Sequence, residues 1–148
     1  MGCFGIVPSP CLDESLLGEA FLHLHEDWLR VSEQFGLTLF QFWTLIHLEN
    51  PEGLPLSRLA RLVLCDKSCM TRVVDDLEAK HLVVRERSNN GDRCSQRIIL
   101  TDQGRSVRAS ILSARFENAA KQAQVLNTSE MLEMRLLLQR FLEPLRAS

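Results

Sequence analysis

The stretch that most constrains this chain runs from residue 56 to residue 102, where two short helical patterns follow one another with almost nothing between them. Ser57 is a capping residue ahead of Leu59, Leu62 and Val63, which are expected to face inward, and Asp66 caps a second helix only three residues after Val63. Helices joined this tightly predict a helix-turn-helix. At about 100° per residue, the second helix carries Met70, Val73, Val74 and Leu77 on one side and Ser68, Thr71, Arg72 and Asp75 on the other. The first set is core. Lys67, Ser68, Thr71 and Arg72 then project from the N-terminal turns, where a recognition helix places side chains that meet base edges and phosphates. A solvated polar face is the plainer reading of any isolated amphipathic helix, so the continuation decides.

After His81, the runs "LVVRER" and "QRIIL" are rich in β-branched residues and bracket "SNNGDRCS", whose Asn, Gly, Ser and Asp are turn formers. The pair predicts a hairpin. It carries Arg85, Arg87, Arg93 and Arg97, and a basic hairpin after a helix-turn-helix is the make-up of a winged helix. In that arrangement the helix enters the major groove, and the hairpin tip reaches the backbone or the adjacent minor groove, where arginine is favoured electrostatically.

The charge distribution agrees with this placement. The whole chain has a net charge of −2, which by itself argues against a polyanion partner. Between Leu56 and Arg97, however, nine Lys or Arg stand against six Asp or Glu, while the remainder is acidic. A basic centre between acidic ends suits a chain whose middle meets phosphate.

The rest is helical in pattern. Asp13, Glu14 and Ser15 open a helix whose apolar residues Leu17, Phe21, Leu24, Trp28, Val31 and Phe35 recur at steps of three and four, and Gly36 stops it. Thr38 and Gln41 make a capping box for a helix striped by Leu39, Phe42, Trp43 and Ile46, which ends at the turn Asn50, Pro51, Glu52, Gly53. From Thr101 a long helix is expected to reach about Gln124. Asn127 with Glu130 then starts a final one striped by Met131, Met134, Leu137, Leu138, Phe141, Leu142 and Leu145. Two long apolar faces flanking a lobe with its own core are best buried against a second copy of the chain.

At 148 residues the expectation is one domain, residues 1–148, with residues 13–36 and 102–146 as dimerisation helices and residues 38–101 as the DNA-binding lobe. The fold class is mainly α with a small β-hairpin wing. No run of about 18 apolar residues and no secretory pattern is present, so the chain is expected to be cytoplasmic, with no membrane partner. "MGCFGI" has Ile6 where an acylation pattern wants Ser or Thr. Five cysteines are expected to be reduced thiols.

"LTLFQFWTLIHL", "LSRLARLVLCDKSCMTRVVDDLEAKHLVVRER", "NGDR" and "ILTDQG", in this order, resemble the MarR family of winged-helix transcription regulators over roughly residues 15–146. The resemblance implies a homodimer whose first and last two helices interleave. It implies binding of double-stranded DNA at a palindromic operator, usually in repression, with release by a small-molecule effector or an oxidant. It makes Asp92 and Arg93 the wing pair, Asp92 holding Arg93 and Arg93 entering the minor groove, and it places Lys67, Ser68, Cys69, Thr71 and Arg72 on the recognition helix. Arg85, Arg87 and Arg97 complete the expected DNA-binding set. Three positions depart from the pattern: Leu64 stands where many members have Gly, Cys69 replaces a common Thr, and Cys94 follows Arg93 where a second Arg is usual. The last removes a phosphate contact, so affinity is expected to be lower than a typical member's.

The family also implies an effector pocket between the dimer helices and the DNA lobe, for which Phe21, His25, Trp28, Trp43 and His47 are candidates, although aromatic residues at helical spacing are more often plain core. Cys11, just before the first helix, lies where peroxide-sensing members keep a reactive thiol, without their surrounding motif. Cys69, beside Lys67 and Arg72, is the other redox candidate, whereas Cys65 reads as a small buried hydrophobe. His23 and His25 point to different faces and the Cys65 and Cys69 pair straddles a helix cap, so no metal or other cofactor is expected. No nucleophile, base and oxyanion set appears, which argues against an enzyme. Two alternatives stand beside a ligand-released regulator: a thiol-based redox regulator of the same family, and a winged-helix protein-interaction module without specific DNA binding.

Overall fold

The computed structural model describes residues 14–87 and 96–147. Cys11 and the expected wing tip with Asp92, Arg93 and Cys94 lie outside the described residues. In chain order the elements are α1 (Glu14–Gln34), α2 (Leu39–His47), β1 (Leu54–Pro55), α3 (Leu56–Val63), α4 (Lys67–Ala79), β2 (Val83–Arg87), β3 (Gln96–Leu100), α5 (Asp102–Gln122), a 3-10 turn (Ala123–Val125) and α6 (Thr128–Ala147). The chain divides into two compact units, residues 1–111 and 112–148, and α5 runs from the first into the second.

In the first unit the core forms where α2, α3 and α4 converge on the sheet. Phe42, Leu45, Leu59, Met70, Val74, Leu77, Val83 and Ile98 are buried there. The Met70 stripe of α4 faces inward as its periodicity predicts. Local signals account for most helix starts. The Thr38 and Gln41 capping box is formed in both directions, and Asp66 caps α4 by accepting the Cys69 N–H at 2.7 Å. Ser57 is not a cap: Pro55 occupies that position and α3 already begins at Leu56, since a proline's fixed φ suits a helix entrance. Leu62 also differs from expectation, being 41% exposed, because α3 is too short to bury more than one face.

Both tight helix ends turn through a non-glycine left-handed residue, Leu64 at φ 57° and His81 at φ 58°. Each conformation costs roughly 1 kcal/mol but lets the next N–H close on the helix, Cys65 on the Ala60 carbonyl and Leu82 on the Leu77 carbonyl, both at 3.0 Å. The turn between α3 and α4 thus has the backbone that glycine favours, with leucine in place.

The sheet is antiparallel in the order β1, β3, β2, so the hairpin of β2 and β3 gains a short third strand that the sequence did not announce. Arg85 lies opposite Ile98, and Leu54 pairs with Ile98 from the other side. Two glycines permit close packing around this sheet: a Cβ on Gly53, at φ +69°, would strike the Ile98 carbonyl, and one on Gly104 would strike the Leu82 carbonyl. Thr101 closes the base of the wing, donating to the His81 carbonyl at 2.7 Å while accepting the Gly104 N–H at 2.9 Å.

In the second unit, Asn127 caps α6 by accepting from Ser129 and Glu130, and Glu130 accepts the Asn127 N–H in return. All seven residues of the expected α6 stripe, from Met131 to Leu145, are exposed. No helix among the described residues is long and apolar enough to cross a membrane.

Candidate nucleic-acid interface and cavity

The outward face of α4 gathers Lys67, Ser68, Thr71 and Arg72, all exposed, opposite the buried Met70 stripe. Burial of one face fixes the helix and therefore fixes where these four side chains point. Thr71 Oγ1 donates to the Lys67 carbonyl at 2.9 Å, so its proton is committed inside the helix and its oxygen is presented outward as an acceptor. Cys69 is half-buried beside this face.

The four wing arginines separate into three kinds. Arg87, at the tip-side end of β2, is exposed. Arg93 lies outside the described residues. Arg85 and Arg97, named from the sequence in the DNA-binding set, have partners within the protein. Arg85 donates to Asp75 at 2.6 Å and pairs with Glu78, both on α4, while its own N–H is accepted by Glu78 at 3.1 Å. Arg97 donates to the carbonyls of Glu52 at 2.8 Å and Gly53 at 2.9 Å, which secures the turn leading into β1. Composition identifies a basic strand; only the fold shows that two acids one helical turn apart on α4 take up Arg85 and that bare carbonyls take up Arg97.

A second polar cluster escaped sequence analysis. Gln41 is 3% exposed, and besides its capping role it donates to Asp76 at 3.3 Å and accepts from Lys80 at 3.0 Å. Lys80 also donates to the Gly36 carbonyl at 2.6 Å. One side chain near the start of α2 thus holds α4 and the end of α1 together. The capping-box pattern identified Gln41, but its long-range partners are 35 and 39 residues away, where no local pattern can find them.

A cavity of about 370 Å³ opens between α1, α2 and the end of α3. Phe21, His25, Trp28, Trp43 and His47, the five residues proposed from the sequence, all line it, joined by Leu39, Phe40, Leu62, Val63 and Leu64. Trp28 and Trp43 meet edge to face with ring centroids 5.0 Å apart, and Phe21 stacks on His25 at 5.7 Å. The walls are mostly apolar, with the two imidazoles as polar handles. Among the described residues, no three His, Cys, Asp or Glu side chains come together as a metal site.

Cys65, expected as a small buried hydrophobe, is half-buried. Desolvation, the neighbouring Cys69 and the Asp66 carboxylate together push the Cys65 thiol above its ordinary range.

A helix-turn-helix whose second helix leads directly into a three-stranded wing defines a winged-helix protein. The pattern of the MarR family matches residues 37–95, from the start of α2 to the segment before β3. Over that segment the chain is similar to the MarR family. The HTH-type transcriptional regulator SarZ of Staphylococcus aureus is 32% identical over 79 residues, which are 53% of each chain, so the matched segment spans about half the length of the curated relatives. Among solved structures, a MarR family transcriptional regulator from Silicibacter pomeroyi superposes with a TM-score of 0.77 at 23% identity, over 90% of this chain and 89% of that one. The transcriptional repressor CouR, bound to a 23-mer DNA duplex, superposes with a TM-score of 0.74 at 27% identity, over 88% and 92%.

Proposed function

We propose that this protein is a sequence-specific DNA-binding transcription regulator that acts as a homodimer on a palindromic operator, represses from it, and is released by a small apolar ligand. The observation that carries the reading is the exposed row of Lys67, Ser68, Thr71 and Arg72 on a helix whose other face is buried. Such a row, held rigidly by its own core, can lie in a major groove with cations on phosphates and hydroxyls on base edges. Arg87, and Arg93 with Asp92 beyond it, extend the contact along the wing. The DNA-bound state of CouR supports the placement.

The dimer is supported by exposed apolar side chains that water does not tolerate in such number: Leu17, Phe21 and Leu24 on α1, and the α6 stripe. Two-fold pairing covers such faces with their own copies. Ligand release is supported by the cavity, whose wall ends at Leu64 in the turn immediately before α4.

The test is selection of the purified protein against a random duplex pool at physiological salt, with sedimentation of the retained complex. An inverted repeat with half-sites about one helical turn apart, bound by two chains, is the expected result. Weak, salt-sensitive retention without an enriched motif would overturn it in favour of a protein-interaction winged helix.

A further inference from the structure

At the end of α4 farthest from its proposed DNA-reading turns, side chains from α2 and α4 meet the turn that closes α1. The Gln41 amide donates from Nε2 to Asp76 at 3.3 Å and accepts at Oε1 from Lys80 at 3.0 Å, so one nearly fully buried group is held twice by α4. Asp76 and Lys80 are four apart on that helix and stack on one side of it. The same Oε1 accepts the Thr38 N–H at 3.2 Å, which ties the amide to the entrance of α2. Lys80 also donates to the Gly36 carbonyl at 2.6 Å, two residues beyond the end of α1.

The Met70 stripe holds α4 inside its own lobe, whereas Lys80 holds its C-terminal end to α1. Because Lys67 to Arg72 lie in the first turns and the polar node lies at the other end, a small rotation about the node is magnified where DNA would be read. Over the roughly 12 Å from Asp76 to Ser68, a tilt of about 10° moves the reading turn by about 2 Å. In a two-fold pair both copies move, and along the operator axis the sum of about 4 Å is close to the rise of one base pair, about 3.4 Å.

We propose that Gln41, Asp76 and Lys80 are positioning residues that set the spacing between half-sites which the homodimer accepts. The proposal rests on the readings of α4 as the DNA helix and of α1 as part of the dimer. The node holds α4 at one angle to α1, and α1, through its exposed Leu17, Phe21 and Leu24, carries that angle to the second copy. Bases within each half-site are read by the N-terminal turns of α4, which the node does not touch. Losing the node therefore widens the accepted spacings without changing the bases preferred.

The test takes the half-site selected by the full-length protein and presents it as inverted repeats whose centres differ in steps of one base pair. The parent is expected to favour one spacing over its neighbours by about tenfold, since a wrong spacing must be made up by deforming the DNA. Lys80→Met and Gln41→Met should each bring the neighbouring spacings to within about threefold of the best. Lys80 is exposed, so its variant reads the node even where Gln41→Met, at a buried position, does not fold. Lys80→Arg, which can still donate to both oxygens, should restore the preference. A stability defect alone lowers retention at every spacing alike, so a uniform fall overturns the proposal, as does a spacing preference as strict as the parent's. Altered base preference within the half-site overturns it too, because the node would then act inside the lobe. Half-sites enriched singly by the parent, with no inverted repeat, overturn the dimeric reading and the proposal with it, and no enriched half-site at all overturns the reading of α4.

Discussion

Arg85 on the first wing strand donates to Asp75 on the recognition-like helix at 2.6 Å, with Glu78 of the same helix as its second partner. The wing is thereby fastened to the outer edge of α4 rather than only joined to it through the chain, and the distance between the two proposed DNA-reading elements becomes a property of one guanidinium.

Arg85→Ala is accordingly expected to lower stability by about 1–2 kcal/mol in urea unfolding, since charged hydrogen bonds are lost at a site only partly open to water. Arg85→Lys should recover only part of it, because an ammonium cannot fork between two carboxylates. If Lys restored everything, the two-pronged contact would not matter.

Gln41→Leu removes a cap acceptor and two contacts to α4 at a nearly fully buried position. A loss of about 2–3 kcal/mol is expected, against about 1 kcal/mol for Lys80→Met, whose ammonium is exposed. Equal losses on chemical denaturation would show that Gln41 is not the centre of the cluster.

Gly104→Ala should be among the most damaging small changes, because the new methyl group meets the Leu82 carbonyl in the wing's base. More than about 3 kcal/mol is expected. Gly18→Ala is the control: nothing lies within 4 Å of its Cβ position in α1, so it should stabilise by about 0.5–1 kcal/mol. Thermal unfolding of the two variants in parallel reads both signs.

For DNA, Arg72→Ala should weaken binding to all sequences alike and reduce the salt slope by about one unit. Thr71→Ala should instead change which bases are preferred at one position of the half-site, since an acceptor facing the bases is lost. A salt titration of each variant on matched and mismatched duplexes separates the two roles.

The chain has two tryptophans and both line the cavity. Intrinsic fluorescence therefore reports ligand entry directly. Naphthalene-type aromatic probes are expected to change the emission saturably, and Leu39→Trp, which fills the space, should abolish that change in a titration followed by extrinsic probe emission. A Trp28 and Trp43 signal that stays linear with probe concentration would mean the cavity does not bind.

Much of this was legible in the sequence because it is local. The Asp66 and Thr38 caps, the Met70 stripe and the hairpin strands all follow from spacing within about two helical turns, and the structure has them in place. Ser57 was misread as a cap because a serine near a helix start is a weaker signal than a proline whose φ is already set.

What the tertiary structure alone decided is how each polar side chain is used. Arg85 and Arg87 are two residues apart on one strand and chemically identical, yet one is taken up by Asp75 and Glu78 and the other stays exposed. Gln41 reads as a capping residue alone until the fold brings Asp76 and Lys80 to its amide. The sequence by itself determined the helices, the hairpin strands and the basic face, since these depend on neighbours along the chain. Which charges remain available depends on neighbours in space, and those exist only once the chain has folded.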